Sequence, residues 1–348
     1  MTDANVADRT HLPADDLAEL IRAYGIAEVL ERQHLADGLM NVNWRLETRA
    51  GRFALKRVTD VPTDRLRRNL AVLPVLGAHG VPACAPLPTV HGDVIAEIRG
   101  GVYCLFPWSD GEHVRGTDLS PAQTSELGAH LAGLHTALGR AADEGRMPAV
   151  PTSVTAEVTE ADRALQKAER LAGAVTARGA GDSFDAAAGA ALEERKILLD
   201  KHAHLRPEGE DPAGPHGWTH GDFQYRNLLW ADDELAAVLD WDRLGVRPYA
   251  EEVVRTAQAQ FGVEGVFDLE RVSVFVAGYR SVIPLEPAAL SDAVRRLWWK
   301  RMTDFWQLEF HYDRGDHSCD DLFIADEALL HWWTERLDVV ERAFAGTA

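Results

Sequence analysis

Cysteine is scarce in this chain: Cys84, Cys104 and Cys319 are the only three in 348 residues, and they stand far apart. An odd, dispersed set excludes a disulfide framework and a cysteine-spaced zinc site, and it fits a reducing cytoplasm. Long apolar runs are missing too. No uninterrupted stretch approaches the length a bilayer demands, and the segment from Met1 to Asp16 is polar and acidic where a signal peptide is basic and then apolar. The expectation is a cytoplasmic protein with no membrane partner. Basic charge is in deficit, with 36 Lys and Arg against 55 Asp and Glu and a net charge of -19. That balance repels a phosphate backbone and excludes nucleic acid as a partner unless the basic residues are strongly segregated. Its plain reading is colloidal solubility. No GxxxxGK[ST] run occurs, which disfavours a P-loop nucleotide-binding protein.

What is present describes an ordinary globular chain, 46% hydrophobic and 26% charged, long enough for two lobes. A short helix is expected around Asp15 to Tyr24. From Val29 to Val58 the residues alternate as three antiparallel strands, with Arg49 to Arg52 as a turn. Leu66, Leu70, Leu73 and Leu76 give a helical period over Thr63 to His79 that stops at Gly80. Two strands follow, Val94 to Ile98 and Val102 to Phe106. The result is an α+β lobe over residues 1–108. Beyond it the chain is mainly helical, beginning at Ser120-Pro121, so residues 109–348 form a second lobe. Helical stretches at Val154 to Arg178 and Phe184 to Leu205, the latter capped by Asp182 or Ser183, read as an inserted hairpin at about 150–206.

The segment richest in chemistry is His220-Gly221-Asp222-Phe223-Gln224-Tyr225-Arg226-Asn227, followed by apolar Leu228-Leu229-Trp230, an acidic turn, and Leu235 to Leu239 running into Asp240-Trp241-Asp242. A loop, a hairpin and a second loop of this length can bring Asp222, Asn227 and Asp240 to one end. Such an oxygen cluster suits magnesium, which is normally held by one or two carboxylates together with nucleotide phosphates.

HGDFQYRN followed by VLDWD resembles the aminoglycoside phosphotransferase and choline kinase-like family, distant relatives of the protein kinases. The resemblance implies a bilobal protein-kinase-like fold, with a small antiparallel-sheet lobe and a mainly helical one. It implies a catalytic Asp222 that orients the acceptor hydroxyl and takes its proton, Asn227 and Asp240 as magnesium ligands, and His220 as a structural residue. Phe53-Ala54-Leu55-Lys56 resembles the kinase strand whose Lys reaches the phosphates and whose Ala lies against adenine. Ala36 to Asn43, with Asn41, looks like the phosphate-covering loop. Leu105-Phe106-Pro107-Trp108 looks like the hinge, and Phe106, Trp108 and Leu229 are expected around the nucleotide.

His91-Gly92-Asp93 repeats three letters of the motif, but Ile98 stands where the Asn is needed, so it reads as a turn. A kinase fold also holds its Lys with a Glu from the next helix, and no Glu lies between Asp60 and Ala96. The helical register puts Asn69 at that position, with Asp64 as the alternative one turn away. Acceptor specificity is sought at Asp110, Glu112, Asp242 and Asp313. The segment His311 to Asp321 holds His, Cys and Asp, candidate metal ligands, but no pair has a familiar zinc spacing and the Asp pattern lacks the EF-hand order, so it reads as a solvated loop. Trp298, Trp299, Phe305 and Trp306 read as core.

These readings converge on an ATP- and magnesium-dependent phosphotransferase, with GTP as the alternative nucleotide. The acceptor is a small-molecule hydroxyl: an amino alcohol, sugar, aminoglycoside or hydroxy amino acid. The alternatives are a protein kinase of the same fold, disfavoured by the short span between Asp242 and Pro248, and a non-catalytic nucleotide-binding module. The oligomeric state is not legible.

Overall fold

Apolar residues at alternate positions put Trp44 and Leu46 of one strand and Leu55 of the next on a single buried face. The computed structural model describes residues 11–36, 41–179 and 181–346. In chain order the first elements are α1 (Ala14–Tyr24), β1 (Val29–Leu35), β2 (Val42–Thr48), β3 (Gly51–Val58), α2 (Thr63–Ala71), α3 (Leu73–Ala78), β4 (Ala96–Ile98) and β5 (Gly101–Pro107). Then come α4 (Pro121–Asp143), α5 (Ala161–Ala177), α6 (Ser183–His202), β6 (His216–Thr219), β7 (Leu228–Ala231), β8 (Glu234–Val238) and β9 (Gly245–Pro248). The remainder is helical: α7 (Tyr249–Phe261), α8 (Leu269–Arg280), α9 (Pro287–Thr303), α10 (Trp306–Arg314), α11 (Asp320–Glu335) and α12 (Leu337–Ala345). None of the described helices is long and apolar enough to cross a membrane.

The chain divides into two compact units, one made of residues 1–114, 136–149 and 220–244, the other of 115–135, 150–219 and 245–348. The units thus interleave along the chain, whereas the sequence reading divided it once, after residue 108. In the first unit an antiparallel sheet runs in the order β1-β2-β3-β5-β4. Its core joins Leu20 and Tyr24 of α1 to Trp44, Leu46, Leu55, Ile98, Tyr103 and Leu105. Because side chains alternate along β3, burying Leu55 on that face sends Ala54 and Lys56 to the other. The β7/β8 hairpin turns at Asp232 and Asp233, both left-handed (φ 49 and 66), the primed-turn geometry that matches the twist of paired strands. It is anchored to the preceding chain by Val238 N–H donating to the Pro82 carbonyl (2.8 Å) and by a two-way backbone pairing of Glu112 with Trp230 (2.9 Å each).

The helix expected over Thr63 to His79 is two helices. Pro74, in the first turn of α3, has no N–H to give to Leu70, and its ring would collide with that carbonyl, so the chain breaks at Val72. In the second unit, α6 begins with Asp182, whose side chain accepts from the N–H groups of Phe184 and Asp185 while Asp185 reaches back to the Asp182 N–H. The preceding helix starts only at Ala161, so the stretch from Val154 onward is less helical than its composition suggested. Trp298, Trp299 and Phe305 are buried, and Trp306 is partly so.

Candidate active site

All groups that the sequence marked for phosphoryl transfer, apart from Asp313, fall in the first unit. The loop His220 to Asn227 is held by its own polar atoms. His220 is fully buried, its Nδ1 accepts from the Asp222 N–H (3.2 Å), and its Nε2 lies 3.0 Å from the Leu239 carbonyl. Accepting at Nδ1 leaves the proton on Nε2, so the ring is neutral and staples the loop to the end of the hairpin. Trp241 packs edge-on against it at 4.8 Å. Asn227 lies five residues after Asp222, and the single helical turn between them folds its amide back. Nδ2 donates to both the Asp222 carboxylate Oδ2 (2.9 Å) and the Asp222 carbonyl (2.8 Å), while Gln224 Nε2 donates to the same Oδ2 (2.9 Å). The Leu239 N–H closes the ring of contacts by donating to the Asn227 carbonyl at 2.8 Å.

Lys56 lies 2.7 Å from both Asp240 Oδ1 and Asp242 Oδ2. Burial alone would push this ammonium down, but the two carboxylates outweigh it and hold the Lys56 pKa above the usual lysine range. The carboxylates respond oppositely. For Asp240, burial favours the neutral acid, yet contact with Lys56 wins and keeps its pKa below the carboxylate norm. Asp242, only 4% exposed at its side chain, is driven up by burial and by the neighbouring Asp240 charge, against the pull of Lys56. Asp240 is left-handed (φ 59, ψ 69), a conformation that Asp tolerates better than most residues and that turns its carboxylate out of the strand line.

Asn69 does not take the place of the missing glutamate. Fully buried, it donates from Nδ2 to the carbonyls of Trp241 and Asp242 (3.1 Å each), and its Oδ1 accepts from Arg68. Asp64 is fully exposed and turns to Arg67, so it is not the lysine's partner either. The side chain that holds Lys56 beside Asp240 is Asp242, which sequence reasoning had placed among acceptor-binding residues. Asn41, expected at the nucleotide, donates to Asp242 Oδ2 (3.0 Å) and is 8% exposed. No local signal in the sequence announces this arrangement, since it joins residues 41, 56, 69 and 242.

The other residues singled out from the sequence for the site lie along β3, β5 and the residues just after it, and the β7/β8 hairpin, with Asp313 apart from them. Ala54 pairs with Phe106 across β3 and β5. Arg45 stacks its guanidinium over Trp108 at 5.2 Å. Leu229 is buried in the hairpin. Asp110 is exposed and ion-paired to Arg52 (2.8 Å), and Glu112 is engaged through its backbone with an exposed side chain. Between them Gly111 (φ 146) leaves room that a Cβ would fill at 3.0 Å from Leu229 and the Trp230 carbonyl. Asp313 lies in the second unit, paired with Arg170 at 2.8 Å. Asp37 to Met40 of the expected phosphate loop lie outside the described residues. Asp93, in the look-alike triplet, accepts from Arg67 Nε (3.1 Å).

A strand lysine clamped by a hairpin-end aspartate, and an aspartate tied to an asparagine five residues on, define a kinase-fold phosphotransferase. Residues 31–285 match the phosphotransferase enzyme family, and the chain belongs to it. It is a kinase that moves a phosphoryl group from ATP to the hydroxyl of a small molecule. Among known proteins it is similar to homoserine kinase of Burkholderia cenocepacia, 27% identical over 325 residues that cover 85% of this chain and 87% of that one. It is also similar to homoserine kinase of Phenylobacterium zucineum, 27% identical over 290 residues (80% and 79% covered). Among solved structures it shares its fold with a spectinomycin phosphotransferase in complex with ADP and spectinomycin, with a TM-score of 0.61, 16% identity, and 96% and 98% of the two chains covered. A microcompartment-associated aminopropanol kinase gives a TM-score of 0.58, 17% identity, and 94% and 98% coverage.

Proposed function

We propose that the acceptor is a small hydroxy amino acid or amino alcohol of homoserine's kind and that the nucleotide is used as its magnesium complex. Similarity to homoserine kinases along most of both chains supports the acceptor class. The observation that carries the chemistry is the Asp222–Asn227 pair, tied at 2.8 and 2.9 Å in a loop stapled by a neutral His220. The Asp222 carboxylate orients the acceptor O–H and receives its proton as the oxygen bonds to the γ-phosphorus and the bond to the β–γ bridging oxygen breaks, leaving ADP. With Nδ2 spent on Asp222, Asn227 offers Oδ1, and Asp240 offers a carboxylate held ionised by Lys56; these hard oxygens fit a divalent cation. When bound, magnesium neutralises phosphate charge. Lys56 supplies a fixed positive charge for the phosphates, while Ala54, Phe106, Trp108 and Leu229 form apolar surface for the base. The three cysteines are unbridged, in keeping with work in a reducing cytoplasm.

The test is ATP turnover by the purified chain against homoserine, other hydroxy amino acids, amino alcohols, sugars and aminoglycosides. Stimulation by a hydroxy amino acid or amino alcohol, abolished by chelation and restored by magnesium, is expected. Stimulation by an aminoglycoside or sugar alone would reject the acceptor class.

A further inference from the structure

The segment read from sequence as a solvated loop is mostly helix. It comprises the end of α10, a turn closed by left-handed Gly315 (φ 63), and the start of α11. Backbone bonds shape the turn: Asp316 N–H donates to the Phe310 carbonyl (2.9 Å) and Asp320 N–H to the His317 carbonyl (3.3 Å). The turn folds His317 back over His311 and brings Asp320 to both. His311 Nδ1 lies 3.0 Å from His317 Nδ1 and 2.9 and 3.0 Å from the two Asp320 oxygens, and His317 Nδ1 is 3.3 Å from Asp320 Oδ2. His311 is fully buried, stacked on Phe184 at 4.4 Å, whereas His317 is half exposed, so the cluster has a rigid base and an open side.

Protons satisfy at most two of the three edges of this triangle. Arg178, which can only donate, lies 2.8 Å from His311 Nε2, so the neutral ring carries its hydrogen on Nδ1. That one hydrogen faces both Asp320 and His317. If His317 Nδ1 is unprotonated, its lone pair confronts the carboxylate; if protonated, both hydrogens go to Asp320 and the two nitrogens stand 3.0 Å apart with no hydrogen between them. A cation satisfies all three edges together. An ion with ligands at about 2.0–2.1 Å has adjacent ligand atoms roughly 2.9–3.4 Å apart between octahedral and tetrahedral angles, the span seen here.

We propose that His311, His317 and Asp320 bind a first-row divalent transition metal, zinc or cobalt(II) in type, through two Nδ1 atoms and one carboxylate. The ion fastens the α10–α11 turn and has no part in phosphoryl transfer. A metal on Nδ1 moves the ring proton to Nε2, so binding displaces Arg178 from His311. Asp185, already ion-paired to the guanidinium at 3.7 Å, remains its partner. Arg178 is therefore a brake on metal uptake.

The experiment is calorimetric titration of the chelator-stripped full chain with zinc, and with cobalt(II) followed by visible absorption. One site per chain is expected, with nitrogen-and-oxygen cobalt bands, weakened about tenfold or more in His317→Ala, a change at a half-exposed ring, and tightened about tenfold in Arg178→Ala. Kinase activity of His317→Ala should equal that of the parent. An affinity and a cobalt spectrum unchanged in His317→Ala, or no stoichiometric binding by the parent, would overturn the site. Arg178→Ala binding no tighter than the parent would overturn the brake.

Discussion

Lys56 shows how a strand lysine is held when the following helix offers it no carboxylate. The carboxylate that usually comes from the following helix comes here from Asp242, and Asn69 uses its amide to fix the backbone carrying that aspartate. Asp242→Asn removes one charge-assisted contact, worth about 1.5–3 kcal/mol. It should lower kcat/KM for ATP about ten- to a hundredfold in steady-state assays, with folding retained by circular dichroism. An unchanged value would mean that Asp240 holds Lys56 alone. Asn69→Asp should act on stability. It would aim a fully buried carboxylate at two carbonyl oxygens, and urea unfolding should show a loss of about 3 kcal/mol. Both residues were visible in the sequence, but their roles were not, because the contacts span more than 170 residues. Asp222 and Asn227, by contrast, lie five residues apart, and the amide needs only one turn to return.

At the level of elements, two glycines decide how α4 meets α8. A Cβ on Gly128 would stand 2.0 Å from the Phe275 carbonyl oxygen, and one on Gly278 would stand 2.0 Å from that of Ser125. Both obstacles are backbone, so neither can swing aside. Gly128→Ala therefore gains up to about 1 kcal/mol of helix propensity but must part the helices, at a cost of about 1–3 kcal/mol or more. The net expectation is a lower Tm by calorimetry. A stabilised variant would show that the helices are free to separate. Elements whose signal is local were read well, among them the strands of the first sheet and the Asp182 cap. The single helix expected over Thr63 to His79 was not, because four leucines in period hid the effect of Pro74. The His311 to Asp321 segment was missed for a related reason: polarity suggested a loop, while the buried face of His311 belongs to a helix packed by Phe184.

For the molecule as a whole, acid stability follows from carboxylates held below their usual range. Arg67 does this for Asp93, the first turn of α6 for Asp182, and Arg170 for Asp313. Each has a folded pKa below its unfolded value. Its contribution is present above the unfolded pKa, about 3.9, and is lost as pH falls through the folded one. Tm should hold from neutrality to about pH 5 and drop below about pH 4, with Asp93→Asn blunting the drop. A Tm that declined evenly from pH 7 would contradict this. Composition bounded the molecule by exclusion, and the motifs indicated the reaction. The interleaving of the two units was hidden because it depends on where residues 220–244 return in space.

The central claim rests on Asp222 as the group that receives the acceptor's proton. Its most direct test is magnesium-dependent turnover of ATP with homoserine by the parent chain and by Asp222→Asn, with nucleotide binding measured alongside. The account predicts acceptor-stimulated turnover in the parent, a fall in kcat of about 10²–10⁴-fold in the variant, and nucleotide affinity unchanged within a few-fold. Full turnover by Asp222→Asn would contradict it.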